Sequence, residues 1–337
     1  MKVSVVIPVY NCEGTIAATV ESALAQRFDI GFEVLVVNDG STDGTRAVLE
    51  KFGDRIRVID QQNAGVATAR NVGIREAAGE YIALLDGDDT WTEDKLAKTV
   101  AVLEQNPACV SVFSDAVQVD GAGNVVLPNF VPPHQAHSPT LEETLEQCWM
   151  IQPSTTVTRR ATFLATGGFP EEFGRRAYGG EDTYAFLLVR EAGEIHFVPD
   201  KLVRYRLSEF NENFAKRIRS GDKSPERMFG GYLIFARLVR DRYGVRGRPL
   251  ARLAINTVAS GLVSLGLMAI HEGDRALAVR YYRESIRYRP LDLKTYVRMA
   301  WAMLPSGIAG KFVGLLTPRL RQSLSGPPFH VLYNRPD

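Results

Sequence analysis

A chain of 337 residues, 45% hydrophobic and 23% charged, has material for one large core or two smaller ones and the composition of a soluble globular protein. Its three cysteines, Cys12, Cys109 and Cys148, have neither paired nor metal-ligand spacing, which excludes a disulfide framework and fits reduced thiols in the cytosol. The formal net charge of +1 hides a division: residues 1–212 carry 18 Lys and Arg against 31 Asp and Glu, net −13, and residues 213–337 carry 22 against 8, net +14.

The acidic part suits metal binding, the basic part an anionic membrane face or an acidic partner, and no nucleic-acid partner is expected. Met1-Lys2 is followed by only seven apolar or small residues before Tyr10-Asn11, too short a run for a secretory signal. Val3 to Val9 instead reads as a first strand, β-branched and closed by Tyr10-Asn11. Glu13 to Ala25 follows with helical spacing through Ile16, Val20 and Leu24.

Glu33 to Asn38 repeats the plan: a strand, then the turn Asp39-Gly40-Ser41-Thr42, then a helix beginning around Asp43 to Thr45. Ile56 to Ile59 is a third strand, Ala67 to Ala77 a helix, and Tyr81 to Leu85 a fourth strand. Alternation at these lengths predicts a doubly wound, mainly parallel α/β sheet flanked by helices. Ligands of such sheets sit at the carboxyl ends of the strands.

Three motifs occupy those ends. The fourth strand runs straight into Asp86-Gly87-Asp88-Asp89, three carboxylates of the hard-oxygen type that suits Mg²⁺ or Mn²⁺ held together with substrate phosphates. The same acids also read as a turn capping a helix that starts near Thr92. Asp39 stands where a nucleotide-binding sheet places an acid against base or ribose, although Asp-Gly turns are ordinary loop chemistry. Arg70 follows the loop Gln62-Asn63-Ala64-Gly65 and is positioned to meet a base or phosphate, or else belongs to a solvated helix face.

These blocks together resemble family 2 glycosyltransferases: Ile7-Pro8-Val9-Tyr10-Asn11, Asn38 to Thr45, Asn63-Ala64-Gly65 with Ala69-Arg70-Asn71, and Leu85-Asp86-Gly87-Asp88-Asp89. The likeness covers residues 1 to about 210. It implies the GT-A fold, a nucleotide-sugar donor that is a UDP-sugar by family frequency, a divalent Mn²⁺ or Mg²⁺, and inversion at the anomeric carbon. Pro8, Tyr10, Asp39 and Arg70 would line the nucleotide, Asp88 would ligate the metal, and Asp86 would face ribose or a metal-bound water.

Between Val110 and Gly168 the pattern loosens. Val110 to Phe113 and Ala116 to Val119 read as short strands, with a hairpin at Asp120-Gly121-Ala122-Gly123. Asn129 to Ser138 is a proline-rich loop in which His134 and His137 are expected to be solvated rather than metal ligands. Cys148 to Thr156 and Gly167-Gly168-Phe169-Pro170 resemble the acceptor-side segment of the family. Glu181-Asp182 matches its ED motif, which makes Asp182 the expected general base, with Glu181 as the nearest substitute and helix capping as the plain alternative. Arg206, in Val203 to Ser208, would face the leaving diphosphate. The Gln-x-x-Arg-Trp motif of processive members is absent, which implies transfer of one sugar.

From Asn213 onward the chain reads as helical. Leu262, Gly266, Ala269, Gly273, Ala278 and Tyr282 follow tetratricopeptide spacing, giving a helix pair at about 253–290. The stretch Leu253 to Ile270 carries too many polar and small residues for a spanning helix and is expected to pack. Lys311 to Leu316 with Arg319 and Arg321 is a basic amphipathic piece of the interfacial kind, or else packs on the main domain. The expected partners are therefore a nucleotide-sugar, a glycan or lipid-linked glycan acceptor, and an anionic membrane contacted peripherally from the cytoplasm, with homo-oligomerisation left open. Rival readings are a sugar nucleotidyltransferase, which would want a glycine-rich basic loop where Asn11-Cys12-Glu13-Gly14 stands, and a non-catalytic protein recruiting partners through its tail.

Overall fold

In the computed structural model, which describes residues 1–146, 151–174, 180–207, 224–243, 248–271 and 273–304, all seven residues of β1 (Val3–Val9) are buried. Successive side chains of a strand point to opposite faces. Val3, Val5, Ile7 and Val9 join a core with Ile16 and Val20 of α1 (Ile16–Leu24) and with Leu96 and Val100 of α4 (Lys95–Gln105). Val6 joins the opposite core with Ala67 and Ile74 of α3 (Val66–Glu76), Phe163 of α6 (Arg160–Thr166) and Phe186 of α7 (Glu181–Ala192). Helices on both faces explain why the strand is apolar at every position but Ser4.

Around β1 the sheet has the order β3-β2-β1-β4-β8-β6-β9-β5, with β7 against β6. The strands β2 (Phe32–Asn38), β3 (Arg57–Asp60) and β4 (Tyr81–Leu84) are parallel to β1, with α2 (Thr45–Glu50) between β2 and β3. Beyond β4 the sheet is mixed. β8 (Thr156–Arg159) is antiparallel to β4 and to β6 (Cys109–Val119), and β9 (Glu194–Arg206) is parallel to β6.

Several boundaries depart from the sequence reading for identifiable reasons. Helix α1 starts at Ile16, not Glu13, because residues 11–13 grip the loop after β2: Asn11 Oδ1 accepts from Thr42 N, Cys12 N donates to Thr45 Oγ1, and Glu13 Oε2 accepts from Gly44 N. Helix α4 starts at Lys95 because β5 (Thr90–Trp91) first pairs with Arg204 and Val203 of β9. The two short strands expected within 110–119 are one strand, β6, whose register shifts at Ser114–Ala116. There Asp115 Oδ1 accepts from the N–H groups of Ala116 and Val131 and so anchors the proline-rich loop. The expected hairpin after β6 leads into β7 (Val125–Leu127), while β8, β9, α6 and the short α5 (Leu141–Glu146) were not foreseen. His137 Nε2 lies 2.9 Å from Glu143 Oε1.

The chain divides into two compact units, Met1–Asn213 and Phe214–Asp337. The second contains α8 (Ser224–Tyr243), α9 (Arg248–His271), α10 (Arg275–Tyr288) and α11 (Leu293–Met303). Helices α9 and α10 fold back on each other at Gly273, whose φ of 84° lies in the left-handed region that favours glycine. Ser285 Oγ donates to Ala259 O, and a Cβ at Gly266 would come within 2.4 Å of the Tyr282 ring. The small residues of α9 thus seat the large ones of α10. Within α9, the window Leu250–Leu267 is long and apolar enough, by length and composition, to cross a membrane, and 39% of it is buried. The basic piece at 311–321 lies outside the described residues.

Candidate active site

Register brings the motif-bearing ends to one edge. Val9 pairs with Asn38, and Val6 with Leu84, so Tyr10, Asp39 and the turn after Leu85 emerge side by side. Pro8 is buried within β1, whereas Tyr10 beyond its end is 47% exposed and offers an aromatic face at that edge. The turn Asp86-Gly87-Asp88-Asp89 lies directly against the end of β1. A Cβ at Gly87 would sit 2.9 Å from Val9 Cγ1, and Gly87 O accepts from Thr15 Oγ1 at 2.8 Å, so glycine between the two acids is a packing requirement.

Asp39 is buried and fully engaged. Oδ1 accepts from Gln61 Nε2 at 2.7 Å and Ala64 N at 2.8 Å, and Oδ2 accepts from Gly65 N at 2.8 Å. It ties the β3–α3 loop to the end of β2 and fixes the entry to α3, the helix that carries Arg70.

Arg70 does not lie on a solvated face. It is 4% exposed, with its guanidinium 5.1 Å from the Phe169 ring. Nη2 donates to Asp86 Oδ1 at 2.8 Å and Nη1 to Glu181 Oε1 at 3.2 Å, so one cation joins the acidic turn after β4 to the start of α7. Its neighbour Asn71 holds the other side: Nδ2 donates to Phe169 O and Oδ1 accepts from Phe169 N, both at 2.8 Å. Burial pushes the Glu181 carboxyl up to about 7, with Asp182 adding to the rise and Arg70 opposing it. Burial also raises Asp182, whose Oδ1 accepts from Thr183 N at 2.6 Å.

Burial and the neighbouring Asp86 push Asp88 up to about 6, while Arg206 pulls it down. Asp89 is raised by burial and by Asp88 and Asp86, even though its Oδ1 accepts from Arg206 N at 2.8 Å. The Arg206 guanidinium is tied to backbone, Nε to Asp88 O at 3.3 Å and Nη1 to Gly121 O at 2.7 Å, which braces the turn from the β9 side.

A layer beneath the turn was not legible from the motifs. Ser154 Oγ accepts from Asp86 N at 3.0 Å, Trp91 Nε1 donates to Ser154 O at 2.8 Å, and Lys95 Nζ donates to Thr155 O at 2.8 Å. Lys95 is fully buried, and burial lowers its amine to about 7. The signal was present but weak: Trp91 and Lys95 follow the acidic turn, and Ser154 lies in a segment expected to serve the acceptor.

The donor set suits a divalent cation arriving with a diphosphate. Asp86, Asp88 and Asp89 are hard oxygen donors, and Asp88 and Asp89 are crowded and desolvated enough to hold protons that a cation would displace. Among the described residues no three His, Cys, Asp or Glu side chains form a metal cage by themselves.

A family model described as glycosyl transferase family 2 matches residues 4–164. The chain is 31% identical over 211 residues to the Escherichia coli protein WfgD, described as UDP-Glc:alpha-D-GlcNAc-diphosphoundecaprenol beta-1,3-glucosyltransferase, covering 61% of this chain and 78% of that one. It is 30% identical over 220 residues to an uncharacterized glycosyltransferase of Rickettsia felis; there it covers 63% of this chain but spans only about a third, 34%, of that relative's length. Among solved structures, a mannosyltransferase of Pyrobaculum calidifontis in complex with GDP-Man and Mn²⁺ superposes with a TM-score of 0.53 at 20% identity, covering 90% of this chain and 88% of that one. At that identity the likeness speaks for the fold, the mixed α/β sheet of GT-A enzymes.

Proposed function

Because the chain belongs to glycosyltransferase family 2, which has members in polysaccharide biosynthesis, we propose that it transfers a single sugar from a nucleotide-diphosphate sugar, a UDP-sugar, to a hydroxyl acceptor with inversion. The observation that carries this reading is the Arg70 bridge. It holds Asp86, at the end of the donor-side strand, and Glu181, beside Asp182 at the start of α7, on one guanidinium. Donor groups and base are thereby kept at fixed separation.

Tyr10 and the loop held by Asp39 receive the nucleoside, with Arg206 on the diphosphate side of the acidic turn. Asp88, with Asp86, would hold Mn²⁺ or Mg²⁺, which would supply charge neutralisation on the departing nucleotide diphosphate. The raised Asp182 carboxylate takes the proton of the acceptor hydroxyl as its oxygen bonds to the anomeric carbon. The bond from that carbon to the diphosphate oxygen breaks with its electron pair going to the diphosphate. A single displacement from the opposite face inverts the centre. Holding the partners in line removes about 7–11 kcal/mol of barrier.

The acceptor proposed is a lipid-linked glycan of a bacterial-type polysaccharide pathway, met at the cytoplasmic face of a membrane by a peripheral protein. The WfgD likeness, with its diphosphoundecaprenol acceptor, supports this. The test is release of UDP from a panel of UDP-sugars with and without Mn²⁺, followed by the anomeric configuration of the product. Release that ignores Mn²⁺ would remove the metal from the mechanism. A retained anomeric configuration would remove the single displacement.

A further inference from the structure

On α11 the side chains of Leu293, Tyr296, Val297 and Met303 are 76%, 39%, 52% and 64% exposed, while Thr295 and Ala302 on the opposite side are buried. At 100° per residue the four exposed side chains, with Ala300, fall on one narrow face of the helix. The described helices thus leave an apolar row in water, an arrangement that usually marks a contact surface.

Beside this row lies an open groove of about 690 Å³ between α9 and the start of α11, with Val263, Leu267 and Leu293 among its apolar lining and Arg289, Lys294 and Arg298 as its cations. Arg289 Nε is buried without an acceptor, and its other contacts, Ser260 Oγ at 3.3 Å and Asp292 Oδ2 at 3.4 Å, are long. Residues 275–303 carry seven Lys and Arg against Glu284 and Asp292. Arg280, Arg283 and Arg287 stand exposed in one row of α10.

We propose that the groove and the adjoining α11 row are one docking surface for an anionic bilayer. A lipid phosphate headgroup sits against Arg289 and Lys294, and Leu293, Tyr296, Val297 and Met303 enter the interfacial zone. An apolar face flanked by Lys and Arg is the pattern of helices that lie in that zone. Free phosphate would satisfy the cations but leave the apolar row in water. A second copy would bring the same cations against one another. The inference deepens, and rests on, the reading that the chain works at a membrane face.

Full-length protein is sedimented with vesicles of phosphatidylcholine alone or mixed with phosphatidylglycerol. Wild type is expected in the pellet with the anionic vesicles only, and to be released as salt rises. Leu293→Glu with Val297→Glu, both at exposed sites, should lower partitioning by roughly tenfold or more without changing the thermal midpoint, and Lys294→Glu by less. Wild type that stays in solution with anionic vesicles at low salt would overturn both this surface and the membrane reading. Binding that the double substitution leaves intact would overturn the surface alone. Release by inorganic phosphate beyond that by chloride of equal ionic strength would make it a free-anion site, and a mass that doubles without lipid would make it a self-contact.

Discussion

Asp39 and Asp88 both follow parallel strands at the same sheet edge, yet their surroundings are opposite. Asp39 is saturated by two backbone N–H groups and one amide, and it acts by shaping a loop. Asp88 is desolvated beside Asp86 and is pushed up to about 6, which leaves it poised for a cation. One acid is compensated by the fold and the other is not. Chemistry is expected where the fold leaves charge uncompensated, and architecture where it does not.

The largest separation of the two regions should come from Asp88→Asn, which removes one charge and one hard ligand while keeping shape. Metal-dependent binding of UDP, followed calorimetrically, is expected to vanish. Retained Mn²⁺-dependent binding would move the ligand elsewhere in the turn. Asp182→Asn is expected to lower turnover by about 10²- to 10⁴-fold while leaving UDP and metal affinity as they are. Near-normal turnover would transfer the role to Glu181.

Arg70→Met tests the link between the regions. It strands the buried Glu181 and the half-buried Asp86 without their cation, a loss of about 3–5 kcal/mol in denaturant unfolding. Adding Glu181→Gln should recover part of that loss, since the two residues share one bond. Full additivity of the two substitutions would show that the bridge is idle. Asp39→Asn should cost less, about 1–3 kcal/mol, because an amide NH₂ would face a backbone N–H in the β3–α3 loop. Its metal affinity should match wild type.

A further effect is that of pH on the metal-free protein. Asp88 and Glu181 are raised from ordinary values of 3.8 and 4.5 to about 6 and about 7, so the folded chain binds more protons than the unfolded chain in those intervals. Stability from this source is complete below the ordinary values and is lost as pH rises through about 6 and then about 7. The thermal midpoint should therefore fall from mildly acid to neutral pH, and Mn²⁺ with UDP should flatten the slope. A midpoint that rises over the same range would mean that neither carboxyl is raised.

Local sequence determined the parallel half of the sheet, because β1, β2 and β4 are buried on both faces and read as mainly apolar, β-branched runs. It also located the acids that end those strands, since a carboxylate after such a run marks a strand end. The antiparallel insertion of β8 and the long β9 were decided by tertiary pairing: Thr156–Arg159 is a short, polar stretch, and β9 is irregular in burial and is interrupted by Pro199 and Asp200. The same holds within the site. Arg70 was found by its motif, but its place as a buried bridge between Asp86 and Glu181 exists only in the folded chain, because those partners lie 16 and 111 residues away. Ser154, Trp91 and Lys95 carry no motif, since their side chains work beneath the acidic turn by hydrogen bonding to backbone groups, which any sequence presents. Periodicity and residue chemistry are local properties, whereas desolvation, and with it the raised carboxyls of Asp88, Glu181 and Asp182, exists only once distant segments have closed around them.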